Sequence, residues 1–394
     1  MKHRLPAGLI LCVFLAGTAF GVEGNDPAPR PVLSGAEWER NPAPLLSNFG
    51  NMYQPCVVEC PGAEHPYLMW FFGWAAEDCN PGFAGCDAIF HARSKDLQRW
   101  EVFSGDRGWD TEMRPETWVP VLVPGGAYYD TWHNGDPSVV FHEGRYYMAY
   151  SATSRDGFKN LPDHLGGMLL CVMGAVSDDG IHWTRAEQPL LIESEAAQKS
   201  DNDRDHAVDF HRPSLMREDG KWKLWFDYWC HPHGVCLGYA ENAVEFGAPG
   251  GFQQAHDPRS PLIKTWTNPE VVKINGLYHC FADPPGHPPT DSANSEARMW
   301  SSRQICEAVS EDGLRWRVLG FIPPDPDVPA NHVPQALVTG AEHPQLLLFY
   351  ATQRGRRFPL KPGESYDYRY DQIRVMRRVI PLPERVPAPP RGLQ

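Results

Sequence analysis

Asp136-Pro137-Ser138-Val139-Val140, followed shortly by Gly144-Arg145-Tyr146-Tyr147-Met148-Ala149-Tyr150, is the stretch on which the fold turns. A proline heads an alternating apolar strand, a glycine turn follows, and a second strand dense in aromatic side chains completes the unit. The unit recurs four more times. Gln54-Pro55-Cys56-Val57-Val58 leads to Tyr67-Leu68-Met69-Trp70-Phe71-Phe72, and Arg212-Pro213-Ser214-Leu215-Met216 leads to Trp222-Lys223-Leu224-Trp225-Phe226. Asn268-Pro269-Glu270-Val271-Val272 precedes Leu277-Tyr278-His279-Cys280-Phe281, and Val333-Pro334-Gln335-Ala336-Leu337 precedes Gln345-Leu346-Leu347-Leu348-Phe349-Tyr350. Repetition at this scale marks a ring or stack of equivalent units.

A second signature closes three of the units: Ser94-Lys95-Asp96-Leu97-Gln98-Arg99-Trp100, Ser177-Asp178-Asp179-Gly180-Ile181-His182-Trp183 and Ser310-Glu311-Asp312-Gly313-Leu314-Arg315-Trp316. Asp-Gly supplies a tight turn because glycine accepts positive φ without steric cost. Two strands from the head, one before this turn and one after it make four antiparallel strands, which is one propeller blade. Five heads predict an all-β, five-bladed β-propeller. A proline at each head fits an innermost strand, whose edge faces the channel and misses no ladder bond. The prolines lie 82, 76, 56 and 65 residues apart, more than the roughly 40–45 residues of a minimal blade, so loops around 76–88, 104–132, 155–167, 194–208 and 284–303 hold the excess.

Lys2 and Arg4 before the apolar run Leu9–Phe20 read as an export signal over residues 1–21. A lead-in at 22–44, a propeller at 45–380 and a Pro-rich tail at 381–394 follow. No later apolar run is long enough to span a membrane. The expected location is therefore secreted or periplasmic. A net charge of −13 without any Lys/Arg run argues against a nucleic-acid partner. Export permits disulfides, and Cys79/Cys86 and Cys230/Cys236, each close together around loop-like sequence, are the candidate pairs. The chain is expected to act as a monomer without a cofactor, apart from a structural calcium or water in the channel.

The Asp-Pro-Ser-Val opening and the Ser-x-Asp-Gly-x-x-Trp turns resemble those of the five-bladed propeller glycosidases. These are the group around glycoside hydrolase families 43, 62, 32 and 68, which degrade arabinan, xylan and fructan. The resemblance spans residues 45–380 and implies a hydrolase acting on a plant or algal polysaccharide or its fragments. The turn also resembles the sialidase Asp-box, but sialidases have six blades and five heads are counted here.

In a propeller the heads converge at one end of the channel. Glycoside hydrolysis needs one protonated and one ionised carboxyl group. Regular alternation would put Asp136 and Glu270 on the same side of their strands. The resemblance implies that Asp136 is the base or nucleophile, Glu270 the acid, and Asp209 the carboxylate that tunes the acid. Around them His133, Asn134, His211, Arg212, Asn268 and His332 are candidate substrate-binding residues. Trp132 and Trp266 either stack on a sugar ring or pack in the core. The chain departs from the family pattern in three places: Gln54 replaces an Asp in the first head, Arg212 stands where an Asp-Pro pair is expected, and Glu270 follows its proline. Two other readings therefore stand open. One is a non-catalytic propeller that binds sugar or protein in the same funnel, with Asp136 only capping a turn. The other is a calcium-dependent, lactonase-like propeller using Asn134, Asp136 and Asn268.

Overall fold

The computed structural model describes residues 31–35, 37–75, 86–125, 128–154, 169–200, 205–284, 304–323, 331–340, 343–353 and 371–381. The expected export signal, Cys79 and the tail beyond residue 381 lie outside these. Two short strands come first, β1 (Glu39–Arg40) and β2 (Leu46–Phe49). Blade 1 then runs through β3 (Tyr53–Glu59), β4 (Tyr67–Ala75), β5 (Cys86–Ser94), β6 (Trp100–Phe103) and β7 (Trp109–Asp110). Blade 2 holds β8 (His133–His142), β9 (Arg145–Ser154), β10 (Leu169–Ser177), β11 (Thr184–Arg185) and β12 (Leu191–Ile192). Blade 3 holds β13 (Ala207–Glu218), β14 (Lys221–Cys230), β15 (Gly234–Asn242) and β16 (Gln253–Gln254). Blade 4 holds β17 (Glu270–Ile274), β18 (Leu277–Ala282), β19 (Cys306–Ser310) and β20 (Arg317–Phe321). Blade 5 holds β21 (Asn331–Thr339), β22 (Gln345–Gln353) and β23 (Asp371–Val379).

All five sheets are antiparallel meanders, and the chain is a five-bladed β-propeller. The outer strand of blade 5 is β1, which pairs with β23, and β2 pairs with β23 as well. The expected lead-in at 22–44 is thus partly propeller. Its residues 39–40 close the ring, because an outer edge left by the last blade needs a ladder partner.

The prolines sit at a repeated distortion. Pro55, Pro137, Pro213 and Pro334 lie inside their inner strands rather than at the start, and Pro269 immediately precedes β17. Register shifts fall at Tyr53/Cys56, Gly135/Ser138, His211/Ser214 and His332/Gln335. Four of the prolines therefore occupy a bulge and Pro269 stands just outside its ladder, places where a missing N–H leaves no ladder bond unmade. The residue before each proline has positive φ: Gln54 46°, Asp136 49°, Arg212 50°, Asn268 52° and Val333 51°. That region is uncommon for residues with a Cβ, and a following proline restricts it further. Five repeats of the same strained joint require packing that over-determines it.

That packing includes a closed belt. The side chain after each proline accepts the backbone N–H two positions after the proline of the next blade. Cys56 Sγ accepts from Val139 N (3.1 Å), Ser138 Oγ from Leu215 N (2.8 Å) and Ser214 Oγ from Val271 N (2.9 Å). Glu270 Oε1 accepts from Ala336 N (3.3 Å), and Gln335 Oε1 accepts from Val57 N (3.0 Å), which returns the belt to blade 1. A side chain one position off would leave a buried N–H unpaired, so the belt fixes how neighbouring blades register.

Farther out, the Ser-Asp-Gly turns serve as sockets. In the second turn Ser177 Oγ accepts from Gly180 N (2.8 Å) and Asp179 Oδ1 from Ile181 N and His182 N (2.8 Å each). Trp70 of blade 1 donates to Gly180 O of blade 2 (2.9 Å), and Trp225 of blade 3 donates to Gly313 O of blade 4 (2.9 Å). A Cβ on either glycine would lie 2.8 Å from that indole, so glycine is required for contact as well as for φ. Trp183 and Trp316, which end the motifs, also donate to these carbonyls.

The cysteine expectation is corrected. Cys230 and Cys236 are both unpaired thiols. Within the β14–β15 hairpin Cys230 faces Gly234 and Cys236 faces Tyr228, so the two are diagonal rather than opposite. The Cys79/Cys86 pair falls outside the described side chains.

Candidate functional site

The bulges set which head side chains meet. Asn134 and Asp136 on β8 are completely buried, and no protein group bonds Asn134 Oδ1, Asn134 Nδ2 or either Asp136 oxygen. Among the described residues Asp136 is the buried carboxylate with both oxygens so left. Gln54 Oε1, at the matching position of blade 1, is likewise without a partner. Buried polar atoms are normally bonded, and an exception of this size marks a place where something else binds.

The matching position of blade 3 carries Arg212, also buried. Its Nη1 donates to Asp227 Oδ2 (3.1 Å). Burial works against the Arg212 cation, yet the Asp227 and Asp136 carboxylates together raise its pKa. Burial alone would raise the Asp227 carboxyl, but His211 and Arg212 outweigh it and hold it below the usual carboxylate range. Asp227 Oδ2 also accepts from Asn268 N (2.8 Å), and His211 Nδ1 lies 2.9 Å from Asp227 Oδ1 and 2.6 Å from Asp209 O. Asp227 thus has two donors on Oδ2 and His211 close to Oδ1, whereas Asp136 faces the same cation with no hydrogen bond from the protein on either oxygen.

His133 meets blade 1: its Nδ1 lies 2.7 Å from Asp87 Oδ2, and its Nε2 would be 2.9 Å from a Cβ on Gly135. Tyr53 and His332 face each other across the seam of blades 1 and 5, with ring centroids 6.4 Å apart. Asn268 Nδ2 donates to Asp283 Oδ1 (2.5 Å), and Asp283 Oδ2 accepts from Val333 N (2.8 Å), so these two are committed to holding blades 4 and 5. Asp209 is buried at positive φ (57°), and its carbonyl is the one that His211 meets. Trp132 is half-buried beside the β8 head, its backbone N–H donating to Thr153 O (3.0 Å).

Two expectations change. Glu270 does not share the setting of Asp136. Alternation is broken by the bulges, and the Glu270 carboxyl lies in the inter-blade belt with Ser214 Oγ at 3.1 Å and Gln335 Nε2 at 3.4 Å. Trp266 does not face a ligand. It is fully buried in the cluster of Trp225, Leu237 and Val271, and its Nε1 donates to Cys280 Sγ (3.3 Å).

Sequence reasoning missed Asp87, Asp227 and Asp283, because they lie on, or just after, second and third strands rather than at heads. A signal was present for two of them: Asp227 interrupts Trp225-Phe226-Asp227-Tyr228-Trp229, and Asp283 ends Cys280-Phe281-Ala282. An acid inside an apolar run needs a buried partner. No group of three or more His, Cys, Asp and Glu among the described residues is placed to hold a metal ion. No described helix is long and apolar enough to cross a membrane.

Fold and site together define a five-bladed propeller with a carboxylate-bearing funnel. Solved structures with this architecture include a thermostable family-43 glycoside hydrolase, at 16% identity over 90% of this chain and 99% of that one, TM-score 0.51. A family 117 glycoside hydrolase from the marine bacterium Zobellia galactanivorans matches at 13% identity, 87% and 90% coverage and TM-score 0.56. An α-L-arabinofuranosidase from Lactobacillus brevis matches at 11% identity, 87% and 94% coverage and TM-score 0.52. At these identities the likeness establishes the fold alone, a five-bladed β-propeller. No protein-family model matches the sequence, and comparison with curated proteins finds no match.

Proposed function

We propose that the chain is a glycoside hydrolase acting on a plant or algal poly- or oligosaccharide, with Asp136 as the ionised carboxylate at its centre. The observation that carries this reading is the buried Asp136 carboxylate, without a protein donor and next to Arg212. Arg212, itself anchored by Asp227, sets a buried cation beside Asp136, and a base or nucleophile of this chemistry is a carboxylate. Asn134 and Gln54 offer amide groups to sugar hydroxyls, and His133, His211, His332 and Trp132 border the same heads. The known propellers of like shape include enzymes named for α-L-arabinofuranoside cleavage, which supports a carbohydrate substrate. An exported location through residues 1–21 belongs to the same proposal.

The acid is the open half of the pair. Burial pushes the Glu270 carboxyl up to about 7, the charge state an acid needs, yet its oxygens are engaged in the belt. That engagement favours a second reading, a propeller that binds carbohydrate without cleaving it. The test is a screen of aryl glycosides and polysaccharides with purified protein, with and without chelator, on wild type and Asp136→Asn. Hydrolysis that falls roughly 10²–10⁴-fold in Asp136→Asn supports the proposal. Binding without turnover in the wild type gives the second reading, and full turnover in Asp136→Asn refutes the assignment of Asp136.

A further inference from the structure

Five side chains make up the inter-blade belt, and four of them are thiol, hydroxyl or amide: Cys56, Ser138, Ser214 and Gln335. The fifth is a carboxyl, Glu270, which takes three hydrogen bonds from the two neighbouring blades. Its Oε2 accepts from Ser214 Oγ of blade 3 (3.1 Å), while its Oε1 faces Ala336 N (3.3 Å) and Gln335 Nε2 (3.4 Å) of blade 5. Gln335 in turn holds Val57 N of blade 1, and Ser214 holds Val271 N beside Glu270 itself. One side chain therefore links blades 3, 4, 5 and 1.

We propose that Glu270 is a proton-operated latch: neutral, it closes the belt across these blades, and ionised, it loosens them. The inference is independent of the proposed activity. Its basis is the composition of the surroundings. The ionisable groups facing Glu270 are Cys56 from β3 and Cys280 from β18, both thiols that burial pushes up and so keeps neutral. From β13 and β21 come Ser214, Gln335 and the Ala336 amide, none of them charged. A negative charge there has three donors but no counter-ion, and a buried, uncompensated charge is costly. Burial accordingly raises the Glu270 carboxyl to about 7, against the pull of the bonds from Ala336, Ser214 and Gln335.

The direction of the pH effect follows. The folded chain holds this proton to higher pH than the unfolded chain, whose carboxyl titrates near the ordinary 4.5. Below that value both forms are protonated and the belt is at full strength. Between about 4.5 and 7 the unfolded chain loses its proton first, so stability falls as pH rises. Above 7 both are ionised and the loss is complete. The ceiling on the effect is roughly 300-fold in the equilibrium, from ten-fold per pKa unit over the gap.

Hydrogen exchange of the full chain at pH 5 and pH 8, corrected for intrinsic rates, tests the latch at the Val271, Ala336 and Val57 amides. Protection in the wild type should fall by about 100-fold, and in Glu270→Gln, which keeps a neutral acceptor at the same place, it should barely change. Equal pH responses in the two proteins, or a flat wild type, would overturn the proposal. Should Glu270→Gln fail to fold, the infrared band of protonated carboxyl groups decides on the wild type alone. A band persisting at pH 6 supports the latch, and its complete loss by pH 5 refutes it.

Discussion

Asp136 and Asp227 are both completely buried aspartates beside Arg212, and their replacement by asparagine should move stability in opposite directions. Asp227 receives the Arg212 guanidinium (3.1 Å) and Asn268 N (2.8 Å), and His211 Nδ1 lies 2.9 Å from its other oxygen. Asp227→Asn removes the charge that holds the Arg212 cation in a dry place, and breaking a buried pair in this way costs about 3–5 kcal/mol. Asp136 receives no hydrogen bond from the protein, and an unsatisfied buried polar group carries a penalty of roughly 1–3 kcal/mol, more when charged. The attraction of Arg212 offsets part of that penalty. Asp136→Asn, nearly the same shape without the charge, should therefore stabilise the fold by about 1 kcal/mol and raise Tm by roughly 1–3 °C for a chain of this size. Urea unfolding at pH 7, with thermal scans as a second probe, measures both variants against the wild type. A residue kept at a cost to stability is a signature of function. If Asp136→Asn lost as much stability as Asp227→Asn, the carboxylate would be a structural member of the Arg212 network, and the argument for a ligand there would fail.

Trp225→Phe keeps the ring packing but leaves Gly313 O without its donor at 2.9 Å; an expected loss of about 1–3 kcal/mol is read by urea unfolding, and an unchanged midpoint would show that the socket contributes nothing. Ser138→Ala strips the acceptor from Leu215 N (2.8 Å) and should cost a similar ~1–3 kcal/mol. Ser138→Cys should recover part of it, since Cys56 performs the same task in blade 1; a Cys variant no better than Ala would argue against the belt as the source of the effect.

The five heads made the fold legible without coordinates, because proline, alternation and aromatic second strands are local properties repeated five times. Glycine in the Ser-x-Asp-Gly-x-x-Trp turns was legible for the same reason, as a demand for positive φ; that Trp70 and Trp225 of the preceding blades also exclude a Cβ there was not. The region of the site could be read too. Asp136, Asn134, Arg212 and His211 do gather at the heads, since inner strands of a ring must converge. Which carboxylates share one setting was decided in three dimensions. A one-residue bulge at the proline breaks period-two alternation, so offsets of one before and one after, in Asp136 and Glu270, do not put the groups in one setting. Partners drawn from other strands settled the rest. Asp227 lies on a second strand, Asp283 just after one and Asp87 on a third, and their roles depend on residues 15–50 positions away or in the next blade. The ring's closure by residues 39–40 is a tertiary fact of the same kind. Two residues carry no pattern of their own, and only the open edge of β23 gives them a place.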